Sequence, residues 1–148
     1  MLRLLFCFSL IFSLVGCSGT SSQRSEYIHS HPLPANFDQE AENHVLFKVS
    51  SAQISEEGMQ KLDRQVKWLK RYRYINIIIE GHCDERGTRE FNLALGSKRA
   101  NVVKYYLVAS GIGDSRISAV SYGKERPVIL GSSPEIWRQN RRSVIMLN

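Results

Sequence analysis

Cysteine is scarce in this 148-residue chain, which has three, at Cys7, Cys17 and Cys83. Only Cys83 lies in the region whose patterning reads as a folded domain, so a disulfide-stapled scaffold within one chain is excluded. Long apolar runs are also missing. The longest, Leu4 to Val15, is about a dozen residues, well short of the ~20 needed for a membrane-crossing helix. Acidic residues are outnumbered, 14 against 20 Lys and Arg, for a net charge of +6. The cations are spread along the chain, and the one mixed aromatic–basic cluster, Trp68 to Tyr74, reads as a solvated helix end with cations near the C-terminal dipole. Nucleic acid is therefore not an expected partner. Internal repeats are absent, as is the Gly-x-Ser-x-Gly of a nucleophile elbow.

What is present starts with an address. Arg3, the short apolar run and the small residues that end it have the form of a secretory signal over residues 1–16. Leu14-Val15-Gly16-Cys17 resembles a bacterial lipobox, in which the cysteine becomes the lipidated first residue. Cys17 is thus the expected lipidation site, and Ser18 after it favours sorting to the outer membrane. Residues 17–43 are polar, contain Pro32 and Pro34, and show no sustained period, which predicts a flexible tether spanning on the order of 25–30 Å.

Residues 44–148 read as one domain. Val45 to Val49 is a short β-prone run. Ser55 is placed to cap a helix, with Glu56 and Glu57 in its first turn and Met59, Leu62, Val66 and Leu69 along one face. Tyr74 to Glu80 reads as a strand covered on both faces. A helix from Arg89 to Ser110 is expected to turn Phe91, Leu95, Val102, Val103, Tyr106 and Leu107 inward and to stop at Gly111. Ile117 to Tyr122, a short helix over Pro134 to Asn140, and Ser143 to Leu147 complete a β-α-β-α-β-(short α)-β order. This is an α+β fold with helices packed on a mixed four-stranded sheet.

The stretch Glu80-Gly81-His82-Cys83-Asp84-Glu85-Arg86-Gly87-Thr88 joins the second strand to the long helix. A charged loop with two glycines at such a junction reads as a ligand-binding loop. A catalytic role for it is disfavoured. Adjacent residues of an extended chain point to opposite faces, so His82 and Cys83 are badly placed as partners, and one His–Cys pair is too few ligands for zinc. No cofactor or metal is expected.

That loop, together with Glu90 to Val103 (which contains Asn92, Leu95, Arg99 and Ala100), Val120 to Pro127 and Asn140-Arg141-Arg142, resembles the OmpA-like C-terminal domain family, and above all its lipid-anchored members in Gram-negative bacteria. The resemblance runs from about Val45 to Leu147. It implies non-covalent binding of peptidoglycan through the diaminopimelate of the stem peptide. Asp84 would engage the ligand ammonium and Arg99 its carboxylate, with Thr88, Asn92 and Ser50 around them. It also implies a lipid anchor in the outer membrane, facing the periplasm, and a protein partner in the Tol periplasmic propeller protein. The chemistry of the residues agrees with such a ligand. A zwitterionic head group needs one fixed anion and one fork-shaped cation close together. Asn92 and Arg99, seven residues apart, share a helix face. Two features depart from the family pattern. Cys83 stands where Ala is common, and Phe47-Lys48-Val49-Ser50 replaces a Phe-Gly-Phe-Asp type of first-strand motif.

Overall fold

The computed structural model describes Pro34 and residues 36–148. The signal, the lipobox cysteine Cys17 and most of the expected tether lie outside the described residues. Among the described residues nine elements follow one another: α1 (Phe37–Ala41), β1 (His44–Leu46), α2 (Glu56–Arg71), β2 (Ile77–His82), α3 (Arg89–Ala109), a 3-10 turn (Asp114–Arg116), β3 (Ile117–Gly123), α4 (Pro134–Asn140) and β4 (Arg142–Leu147). The strands form one mixed sheet in the order β1-β4-β2-β3. Only the β2–β3 pair is parallel, as expected of strands joined through a helix. The β1–β4 and β2–β4 pairs are antiparallel.

Local chemistry explains where the helices begin. The Ser55 hydroxyl accepts from the Gly58 N–H at 3.1 Å, and Glu56 and Glu57 follow in the first turn of α2. Thr88 caps α3 in the same way, accepting from the Phe91 N–H at 3.2 Å. Leu62, Val66 and Leu69 of α2 and Ala100, Val103 and Leu107 of α3 are buried in one core with Val45, Ile77, Ile79, Ile117 and Ile145. Each large apolar side chain buried there contributes on the order of 1.5–3 kcal/mol relative to exposure.

Four expectations are corrected. The tether does not extend to residue 43, because Phe37 and Ala41 of α1 are buried and the Phe37 ring lies 4.6 Å from that of Trp68. Glu42 then pairs with Lys61 at 2.8 Å and Arg64 at 2.6 Å, fastening this segment to α2. The first strand ends at Leu46, since the chain turns at Val49–Ser50, where Ser50 has a left-handed φ of 48°. Met59 and Phe91, expected inward, are 41% and 50% exposed, and each sits in the first turn of its helix. The second strand is covered fully on one face only. Ile77 and Ile79 are buried, whereas Ile78 is half-buried and its β4 neighbour Met146 is exposed.

Helix α3 reaches β2 through two glycines. A Cβ on Gly81 would fall well inside contact distance of the Gly96 carbonyl oxygen, and a Cβ on Gly96 would lie 2.8 Å from the Gly81 oxygen. Backbone meets backbone at this crossing, so no side-chain rotation relieves the overlap. Gly81→Ala is expected to destabilise the domain by about 3 kcal/mol or more, the upper end of the overpacking range. Urea unfolding measures it, and a loss below about 1 kcal/mol contradicts the packing described.

Candidate functional site

The loop from β2 to α3 is held on a frame of hydrogen bonds before any ligand is considered. Cys83 N–H donates to the Gly123 carbonyl at 2.7 Å, continuing the sheet past its last regular pair. The Asn92 side chain, buried on α3, donates to Arg86 O at 2.8 Å. Lys124 Nζ donates to Glu85 O and to Gly87 O, at 3.2 and 2.8 Å. Gly87 has a φ of 88°, a conformation most side chains avoid, so the tight turn after Arg86 requires glycine.

Within this frame Asp84 turns inward. Its carboxylate accepts from the Arg86 backbone N–H and Nε, both at 3.2 Å, from Arg86 Nη2 at 2.7 Å and from Arg141 Nη1 at 3.1 Å. Burial pushes the Asp84 carboxyl up, but the hydrogen bonds from Arg86 and Arg141 outweigh it and hold the group below its ordinary value. Asp84 is therefore a fixed anion at neutral pH. Arg141, itself mostly buried, is anchored by Nε to Phe47 O at 3.0 Å.

Arg99 is fully buried. Its Nε donates to Ser51 O at 2.8 Å, Nη1 to His82 O at 2.7 Å and to Cys83 Sγ at 3.4 Å, and Nη2 to Lys48 O at 3.0 Å. One guanidinium thus ties the Lys48–Ser51 turn to the end of β2 from a position on α3. Burial draws its pKa down, and Cys83 and Asp84 oppose that. The Cys83 thiol, pushed up by burial, donates to Asn92 O at 3.3 Å.

These groups line one cleft of about 210 Å³, bordered by Val49, Ser50, Cys83, Asp84, Arg86, Gly87, Phe91, Asn92, Leu95, Arg99 and Arg141. Four of the five residues singled out from the sequence, Asp84, Arg99, Asn92 and Ser50, meet there. Thr88 does not line it, since its hydroxyl is spent on the α3 cap. Arg86 and Arg141 escaped the sequence reading, although both stand inside the quoted motifs. Their role depends on Asp84 lying between them, which residue spacing does not reveal. Nor does the sequence argument against catalysis take account of Ser121-Tyr122-Gly123-Lys124, which has Ser-x-x-Lys spacing. The structure gives the two side chains separate tasks, Ser121 Oγ donating to Leu93 O and Lys124 Nζ to the loop carbonyls.

Beneath the loop, His82 is 1% exposed and stacks on Tyr122 with ring centroids 5.7 Å apart. Burial first, and then the Arg142 cation, lower its pKa to about 4, although the Glu80 carboxylate lies 3.4 Å from Nε2. The unfolded chain binds this proton from about pH 6.5 downward, while the folded one does not until about pH 4. Stability is therefore expected to fall by about 3 kcal/mol as pH drops through that window. Unfolding curves at pH 7 and pH 4.5 measure it, and His82→Leu should remove most of the slope.

Comparison with known proteins places this geometry. Residues 46–141 match the OmpA family. The peptidoglycan-associated lipoprotein of Mesorhizobium japonicum is 45% identical over 104 residues, covering 70% of this chain and 62% of that protein. That of Pseudomonas aeruginosa is 47% identical over 96 residues, covering 65% and 56%. The chain spans about 60% of the length of these curated relatives. The crystal structure of the peptidoglycan-associated lipoprotein from Burkholderia pseudomallei is similar with a TM-score of 0.73 at 39% identity, covering 80% of this chain and all of that one. The C-terminal domain of Helicobacter pylori MotB shares the fold, with a TM-score of 0.67 at 23% identity. The matched span runs from the end of β1 to the start of β4 and takes in both walls of the cleft, and on that ground the chain belongs to the OmpA family.

Proposed function

We propose that the cleft grips peptidoglycan non-covalently by the free zwitterionic end of diaminopimelate in the stem peptide. The domain is a binding module and not an enzyme. The observation that carries the reading is the pairing of a fixed anion, Asp84, with a buried guanidinium, Arg99, in the walls of one cleft. The ligand ammonium meets Asp84. The ligand carboxylate faces the charge of Arg99, which directs four of its five N–H groups to protein acceptors and has one left to offer. Ser50 and Asn92 border the same space. Charge-assisted hydrogen bonds of ~1.5–3 kcal/mol each suit a grip that must release as the wall is remodelled. A lipid on Cys17 turns that grip into a link between outer membrane and wall, in keeping with the lipoprotein names of the relatives. Co-sedimentation with isolated sacculi tests the reading. Retention by diaminopimelate-type sacculi and loss on lysine-type sacculi, which lack the second carboxylate, is expected. Equal retention on both contradicts it.

A protein partner is proposed beside the wall. Val128, Ile129 and Leu130 are 57%, 44% and 84% exposed in succession, an apolar protrusion for which a polar glycopeptide has no use. Asn140 secures it to the end of α4 through hydrogen bonds to Val128 N–H, Ile129 N–H and Ile129 O. The Tol periplasmic propeller protein is the partner proposed, on a surface that overlaps the cleft and takes in this protrusion, and through it a part in envelope integrity and cell division. Leu130→Asp is expected to weaken a pull-down of that propeller at least about tenfold, by removing a fully buried apolar contact, while sacculus binding is unchanged.

A further inference from the structure

The two cations on Asp84 are held very differently. Arg141 is anchored to Phe47 O and its side chain is only 11% exposed. The Arg86 side chain is 42% exposed, and among the described residues its hydrogen-bond partner is Asp84, which it grips with Nε and Nη2. Its guanidinium also stands 4.2 Å from the centre of the Trp137 ring, and Trp137 is itself fixed by an Nε1 hydrogen bond to Glu85 at 2.9 Å. The backbone around Arg86 is held independently of the side chain, by Asn92 on its carbonyl and Lys124 on that of Gly87. The Arg86 N–H to Asp84 contact is likewise independent of the guanidinium.

The geometry points to Arg86 as a displaceable resident cation. Its guanidinium occupies the place on Asp84 that a ligand ammonium takes, and it yields that place while keeping its contact with the Trp137 face. This rests on the reading of the cleft given above and adds a determinant of specificity to it. A carboxylate stripped of a partner in a part-buried site is costly. Arg141 keeps its contact with Asp84 when the Arg86 guanidinium leaves, and a ligand ammonium restores the second ion pair, so a ligand that brings its own positive charge is favoured over a neutral one. The Trp137 ring, already 4.2 Å from the guanidinium, goes on holding it after Asp84 is released, since a cation over an indole face is attracted by the ring quadrupole. Neutral and acylated peptides are refused because they leave Arg86 where it is.

Calorimetry and stopped-flow binding of a stem tripeptide containing meso-diaminopimelate test this, using the folded domain of the wild type, Arg86→Ala, Arg86→Gln and Asp84→Asn. Removal of the competing cation is expected to tighten binding about three- to tenfold in both Arg86 variants, with a faster association rate, and the preference for the free peptide over the same peptide N-acetylated on its diaminopimelate, which the wild type refuses, should narrow in both Arg86 variants. Unchanged or weaker binding by both Arg86 variants, with the wild type binding and Asp84→Asn not, overturns the displacement and leaves the reading of the cleft standing. A wild type that does not bind the tripeptide overturns both.

Discussion

Arg99→Ala should lower the melting temperature of the domain by more than about 10 °C, a larger effect than any loss of ligand contact. The substitution deletes a guanidinium that satisfies the carbonyls of Lys48, Ser51 and His82. A buried acceptor left without its donor costs about 1–3 kcal/mol, so three of them come to at least about 3 kcal/mol. For a domain of this size that corresponds to roughly 4 °C per kcal/mol. The Lys48–Ser51 turn, with Ser50 already at a positive φ, loses its attachment to α3 and should be the first segment to fray. Differential scanning calorimetry gives the number, and hydrogen exchange at residues 48–51 gives the place. A shift of under about 3 °C would mean that these carbonyls find other donors. The family resemblance makes Arg99 a ligand contact. Its complete burial makes it a structural cross-link first, and loss of wall binding in Arg99→Ala cannot be credited to ligand contact alone.

Asp84→Asn is the cleaner probe of binding. The amide keeps the shape of the carboxylate, and its oxygen still accepts from the Arg86 N–H, so the turn survives. The negative charge is lost. One charge-assisted hydrogen bond of about 1.5–3 kcal/mol disappears, which predicts affinity for diaminopimelate peptides about 10- to 150-fold weaker. The pH dependence has a definite sign. Arg86 and Arg141 overcome the upward push of burial, so the native carboxyl titrates below its ordinary value of 3.8. Its contribution is present above that value and lost only as pH falls through the depressed pKa. Wild-type binding should be flat from pH 8 to pH 5 as far as Asp84 is concerned. A midpoint near pH 6 would point to a different titrating group.

Much of the fold was legible because its signals are local. Ser55 and Thr88 announce helix starts, the Leu62–Val66–Leu69 spacing announces a face, and the alternation around Ile77 and Ile79 announces a strand. Signals fail where a residue answers to something distant in the chain. Phe37 is one aromatic in a polar stretch, and only the ring of Trp68 gives it a reason to be ordered. Met59 and Phe91 fit the helical period but stand exposed in the first turns of their helices. The site divides the same way. Asp84 and Asn92 were found through their spacing within a motif. The clamp on Asp84 was not: Arg141 reaches it from the turn before β4, 57 residues away, and Arg86, two residues on, reaches it only because the loop folds back on itself. A charged residue in a helix also reads as exposed by default, which hid the burial of Arg99.

Chemical-shift mapping of the folded domain with a diaminopimelate stem tripeptide tests the central claim most directly. The account predicts the largest changes at Ser50, Asp84, Gly87 and Asn92 and at the Nε–H of Arg86, with small changes elsewhere. Perturbations confined instead to the larger cavity of about 590 Å³ between β1 and the start of α2, lined by Lys48, Gln53, Ile54 and Lys61, would contradict it.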